Sequence, residues 1–239
     1  MNSSPKIALV AGATGMVGGR LLDVLLDAPD YARVYAVTRR PMGREHPRLA
    51  NRVVIFPRMA EQLKGLVVTD AYCCIGTTIA DAGSQEAFRD VDLEAVLQFA
   101  RAARALQASR FIVVSSVGAD VSSKKFYLRV KGEMEQEVAT LGYPSLDILQ
   151  PSLLLGPRKQ MRPIELLGRV LAPVVNPLLT GKREIYRAIP ADIVARGMLG
   201  ASRRGARGIY RYTHAGIRQL AALRAPQPMM VQPGKNRPA

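Results

Sequence analysis

Tryptophan is absent from this chain, and cysteine and histidine occur only twice each. Each scarcity excludes something. Cys73 and Cys74 are adjacent, and neighbouring cysteines rarely bridge, because a disulfide needs its Cα atoms well apart. They read as small buried strand residues in a reducing compartment. His46 and His214 stand alone, so no Cys/His cluster at ligand spacing exists and no metal site is expected. No uncharged apolar run reaches the ~18 residues of a membrane span, and none is expected. The N-terminus, MNSSPKIALVAGATG, lacks a basic region followed by a separate apolar stretch and a cleavage site. No export signal is expected, and the expected setting is cytoplasmic.

Acidic residues are scarce in one part only. Residues 158–239 hold 16 basic and 3 acidic side chains, whereas residues 1–157 hold 18 and 16. A basic third suits an anionic cofactor, a nucleic acid or a membrane surface. It has no aromatic interleaving and no nucleic-acid motif, so nucleic acid is not an expected partner. A protein partner through this third stays open, as does a plain solvated face rich in arginine.

What the chain does have is 239 residues, 48% of them apolar and 22% charged, as in a globular protein. Apolar strands alternate with helical segments. Strands are expected at 6–12, 34–40, 52–56, 71–76 and 110–116, within 145–156, and at 208–214. A single helix is expected over about 84–107. The alternation predicts an α/β fold with a doubly wound parallel sheet. Residues 1–224 are expected to form one domain. Prolines 157, 163, 173 and 177 mark residues 157–188 as a small substrate-covering lobe, and the proline-rich 225–239 as a loose tail.

The stretch VAGATGMVGG puts Gly12, Gly15 and Gly18 three residues apart, after a strand and opening a helix. Gly12 permits the turn, Gly15 lets backbone approach a pyrophosphate, and Gly18 lets the helix pack on the sheet. The helix N-terminus then offers free N–H groups to the phosphates, and Thr14 adds a hydroxyl. The second strand ends on Thr38, Arg39 and Arg40, with no acid before Glu45. Two arginines suit a 2′-phosphate rather than a bare ribose, so the expected cofactor is NADP(H).

Tyr127 and Lys131 lie four residues apart on one helical face. Lys131 falls inside the arc formed by Tyr127, Met134, Val138 and Leu141, with Val130 at its edge, whereas Glu133, Glu135 and Glu137 are expected to face or border water. A nearby ammonium favours phenolate and makes a tyrosine a usable acid/base. Ser115 and Ser116 end the fifth strand at the sheet edge where such folds bind ligands, and either could position a substrate oxygen.

With these stretches in view, the chain resembles the atypical short-chain dehydrogenases/reductases. More narrowly, it resembles the Tat-interacting protein 30, or HTATIP-like oxidoreductase, family. The resemblance rests on GATGMVGG, VTRRP, CCIGTTIADAGS, SSVGAD, YLRVKGEMEQEV and QPSLLLGPRKQMRP. It implies a Rossmann fold with Thr14, Gly15, Met16 and Val17 along the pyrophosphate turn and Arg39 and Arg40 on the adenosine phosphate. Ile75 and Gly76 would lie along the cofactor, with Leu154 and Arg162 on the nicotinamide side. Tyr127 and Lys131 would be the acid/base and its helper, with Ser115 as partner. Where relatives carry an acid near the end of the third strand, this chain has Ile55 and Pro57. The expected activity is reduction of a small carbonyl compound, or the reverse. The alternative is an NADPH-binding regulator with little turnover.

Overall fold

The computed structural model describes residues 5–156, 176 and 179–223. In chain order the elements begin with β1 (Lys6–Ala11), α1 (Met16–Asp27), β2 (Tyr31–Thr38), β3 (Leu49–Val53), α2 (Met59–Gln62) and β4 (Asp70–Cys73). Next come α3 (Ile79–Ala82), α4 (Gln85–Arg89), a π-helical turn (Asp90–Glu94), α5 (Ala95–Ala105), β5 (Arg110–Val114), α6 (Phe126–Thr140), β6 (Ser145–Leu149) and β7 (Leu154–Leu155). Last are β8 (Ile189–Pro190), α7 (Ala191–Arg203), β9 (Gly208–Tyr212) and α8 (His214–Ala221).

Seven strands form one parallel sheet in the order β3-β2-β1-β4-β5-β6-β9, and β7 pairs with β8 beside it. Both faces are covered, which is why the strands read as nearly unbroken apolar runs. Successive strand residues go to opposite layers. Leu9, Ala11, Ala71, Cys73, Phe111 and Val113 pack with α5 and α6. Ala8, Val10, Tyr72 and Ile112 pack with α1, α7 and α8. This is the doubly wound Rossmann arrangement, with its switch point where the chain leaves β1 for β2 on one side and β4 lies on the other.

Local chemistry sets the element limits. Helix α1 buries Leu21, Leu22, Leu25 and Leu26 at helical spacing and stops at Ala28, which is extended because Pro29 follows. Strand β2 ends at Thr38 rather than running to 40, since Pro41 has no N–H to extend a ladder. Strand β3 lies at 49–53, earlier than expected, and Pro57 opens a 3₁₀ turn behind it. The single helix expected over 84–107 is α4 and α5 joined by the π-helical turn. Helix α6 buries Val130, Met134 and Val138, each adding roughly 1.5–3 kcal/mol of apolar burial. It also buries Glu135, which was expected to meet water; that carboxylate instead accepts bonds from Gln150 at 2.8 Å and Arg211 at 2.9 Å.

Candidate active site

The floor of the site is the joint between β1 and β4. Gly12 has φ +77°, and a Cβ there would sit 2.4 Å from the Cys74 carbonyl. A Cβ on Gly18 would sit 2.1 Å from the Gly12 oxygen, so α1 lies directly on the turn. Gly15 is different. It is exposed, and its Cβ would meet only the Gly12 oxygen, at 3.3 Å. The protein's own packing therefore demands Gly12 and Gly18 far more than Gly15, whose open backbone faces outward. Helix α1 has no side-chain cap and no acid in its first turn. Nearby α3 and α4 are capped by Thr78 and Ser84. The uncapped N-terminus carries positive dipole.

Above this joint lies a cavity of about 750 Å³. Thr14, Gly15, Met16, Val17, Ile75, Gly76, Ser115, Tyr127, Lys131 and Leu154 all line it, ten of the residues singled out in the sequence. Gly12 and Gly18 are not in its wall and serve the turn beneath. Ser115, not Ser116, faces the space. Ser115 is 5% exposed, and among the described residues its Oγ has no hydrogen-bond partner. Tyr127 is half-buried, its ring tilted against Phe88 at 5.4 Å between centroids.

Lys131 has 4% of its side chain exposed, and its Nζ lies 2.7 Å from Asp92 Oδ1. The other Asp92 oxygen accepts from the Thr77 N–H at 2.8 Å. Burial alone would drive the lysine toward neutrality, but Asp92 and then Tyr127 outweigh it and hold its pKa raised. Asp92 sits in the π-helical turn and is fully buried. Sequence reading missed it, although it falls four residues after buried Phe88. A buried-face acid close to an inward lysine was the available signal. Cys73 is fully buried, and burial pushes its thiol up to about 12; Cys74 in the cavity wall is also raised by burial. Among the described residues no cluster of three or more His, Cys, Asp or Glu could hold a metal.

The cavity wall also includes Arg20, Asp23 and Arg44, none of them anticipated. Arg39 and Arg40 are exposed just past β2 and are not among the lining residues. Arg162 lies outside the described residues, as do most of the expected lobe at 157–188 and the whole tail at 225–239.

Residues 8–126 match the NAD dependent epimerase/dehydratase family. The chain is 34% identical over 210 residues to the mitochondrial protein fmp52 of Aspergillus clavatus, covering 85% of this chain and 89% of that one. It is 35% identical over 161 residues to FMP52 of Debaryomyces hansenii, covering 66% and 70%. These relatives are named as mitochondrial, which overturns the cytoplasmic setting expected from the sequence. Among solved structures, the Bordetella bronchiseptica enzyme WbmH in complex with NAD+ superposes with a TM-score of 0.65 at 14% identity, covering 87% of this chain and 75% of that one. A UDP-glucose 4-epimerase from Thermotoga maritima with UDP-glucose gives 0.65 at 14%, covering 90% and 80%. At that identity the likeness concerns the fold. The family model and the fungal relatives together assign the chain: it belongs to the NAD dependent epimerase/dehydratase family of Rossmann-fold proteins.

Proposed function

We propose that the protein is an NADP(H)-dependent oxidoreductase that reduces a small carbonyl compound or runs the reverse oxidation. The observation that carries this reading is the buried Ser115 hydroxyl, which has no partner among the described residues and shares a cavity wall with Tyr127 and Lys131. A buried hydroxyl left unpaired costs about 1–3 kcal/mol unless a ligand completes it. The residues suit a dinucleotide: the open Gly15 backbone and the uncapped α1 N-terminus suit a pyrophosphate, and the Tyr127–Lys131 end suits a nicotinamide and its ribose. The bound nicotinamide would supply the hydride on reduction and take it back on oxidation.

The chain's own residues do the rest. The Ser115 hydroxyl donates to the substrate oxygen and fixes its place. The Tyr127 hydroxyl gives that oxygen a proton as the hydride arrives at carbon, and the phenolate is re-protonated from solvent. Lys131, held as a cation by Asp92, stabilises the phenolate meanwhile. Gly76 lies over the Lys131–Asp92 pair, where a Cβ would come within 3.3 Å of the carboxylate. The test is spectrophotometric NADPH consumption over a panel of aldehydes and ketones. Tyr127→Phe should keep NADPH binding and lose roughly 10²–10⁴-fold in turnover. Tight NADPH binding with no carbonyl reduced by the wild type would sink the enzyme reading. The regulatory alternative would draw its partner surface from the basic third. Of its 16 basic side chains, three arginines are already paired to the rest of the chain, Arg203 with Asp30, Arg204 with Asp147 and Arg211 with Glu135, which leaves a smaller surface for a partner.

A further inference from the structure

We infer that Asp23 and Arg44 form a latch over the adenosine end of the cleft, and that the 2′-phosphate of NADP(H) is the anion that opens it. The inference rests on the dinucleotide reading above and assigns that reading's specificity to residues the motifs did not mark.

The placement follows from α1. One cavity wall includes Ser115, Tyr127 and Lys131, Thr14 to Val17, and Arg20, Asp23 and Arg44; Arg44 follows β2 and Ser115 follows β5, and those strands flank β1 and β4 on opposite sides. A pyrophosphate at the α1 N-terminus puts a nicotinamide toward Tyr127 and therefore the adenosine toward Arg20 and Arg44. Arg20 and Asp23 follow Met16 by four and seven residues, about one and two helical turns further along α1 at ~1.5 Å per residue.

The latch is one ion pair. Arg44 Nη1 lies 2.8 Å from Asp23 Oδ1, whereas Arg20 Nη1 is 3.9 Å from Asp23 Oδ2. Two guanidinium groups thus face one carboxylate. The segment that brings Arg44 there is fixed: the Met42 N–H donates to Asn51 Oδ1 at 2.9 Å, and Asn51 Nδ2 donates to Thr38 Oγ1 at 2.7 Å and to the Ala36 carbonyl at 3.1 Å. Arg44 is two residues beyond that pin, so its guanidinium can turn without moving β2 or β3.

The pair is also weak. Arg44 keeps 38% and Asp23 47% of their side chains exposed, and such pairs are screened by solvent. A phosphate monoester carries about −1.5 to −2 charge near neutrality and offers three oxygens, so it outcompetes a single carboxylate for Arg44 and recruits Arg20 in a charge-assisted pair. A ribose 2′-hydroxyl carries no charge and leaves the latch shut. Asp23 therefore opposes NADPH and is indifferent to NADH, while Arg44 does the reverse of the first and shares the second.

The experiment is a binding titration of the full chain with NADPH and NADH, and with 2′,5′-ADP and 5′-AMP as adenosine fragments. Arg44→Ala should weaken NADPH and 2′,5′-ADP by about tenfold and leave NADH and 5′-AMP within about threefold. Asp23→Asn should tighten NADPH and 2′,5′-ADP by about three- to tenfold without tightening NADH. Unchanged NADH affinity in each variant also shows that it is folded. The latch is overturned if Arg44→Ala and Asp23→Asn leave the NADPH/NADH ratio as it was. It is overturned equally if the Arg39→Ala/Arg40→Ala pair alone removes the preference. A wild type that binds neither dinucleotide brings down the cofactor reading and the latch together, whereas binding of both with an unmoved ratio brings down only the latch.

Discussion

Lys131 is a buried cation that Asp92 makes tolerable. Replacing Asp92 with Asn keeps an acceptor for the Thr77 N–H but removes the charge, leaving the ammonium unpaired in the wall. Asp92→Asn should lose about 3–5 kcal/mol of stability, read from denaturant unfolding at neutral pH. A loss below about 1 kcal/mol would mean that solvent in the cavity already serves the lysine. The inward lysine was legible in the sequence, because Tyr127, Met134 and Val138 define the arc it shares. Its counter-ion was not. Asp92 reaches Lys131 from a π-helical turn, and one widened turn re-aims a side chain in a way that a uniform helical period does not foresee. Arg39 and Arg40 stand out by nearness in sequence to the strand end; Arg44, in the cavity wall, carries no such mark, because it arrives on a loop whose path Asn51 sets.

Among the elements, α6 depends on a glycine for a reason that spacing cannot show. Gly132 lies mid-helix, where Ala would ordinarily be better by about 1 kcal/mol. Here a Cβ would stand 2.4 Å from the Asp120 carbonyl carbon and from the Val121 nitrogen. The Asp120 N–H also donates to the Leu128 carbonyl at 3.1 Å, so the loop after β5 is seated on the helix. Gly132→Ala should therefore destabilise, by about 1–3 kcal/mol as overpacking does, with a lowered melting temperature as the readout. An unchanged or raised melting temperature would show the loop free to shift. The order of strands and helices was readable from apolar runs and periodicity, because each element carries its own pattern. A close approach between loop and helix carries none.

For the whole molecule, part of the lopsided charge of the sequence serves as stitching. Arg203, Arg204 and Arg211 of the basic third pair with Asp30, Asp147 and Glu135 of the more balanced part. Counting charge along the chain could not see this, since each partner lies far away in sequence. At the end of the sheet opposite the cavity, Tyr31 donates to Asp70 at 2.5 Å and shares a 2.6 Å bond with Tyr72. Arg110 joins Ser145 at 2.7 Å and Asp147 at 3.0 Å. Burial raises the pKa of both tyrosines, Tyr72 adding to the rise of Tyr31 and Asp70 to that of each. Groups whose folded pKa is raised contribute stability that is full below their unfolded values, ~10 for tyrosine, and is lost as pH climbs through the folded ones. Raised Lys131 acts in the same direction. Burial-raised Cys73 and Cys74 add to this from a lower unfolded value, ~8.5, so unfolding midpoints in urea should hold steady from about pH 7 to 8, begin to fall above about 8.5 and fall more steeply above about 10. Tyr72→Phe should flatten that fall, and an identical slope in the variant would contradict it.

That cluster also has a reading in inheritance. Tyr31 reaches the Ser202 hydroxyl at 3.1 Å across 171 positions, and the Lys6 amine reaches the Ser202 carbonyl at 2.9 Å across 196. Lineages that alter Tyr31 should carry matched changes at Asp70, Tyr72 or Ser202, and suppressors of a Tyr31 defect should map as far off as codon 202, 171 positions along the chain.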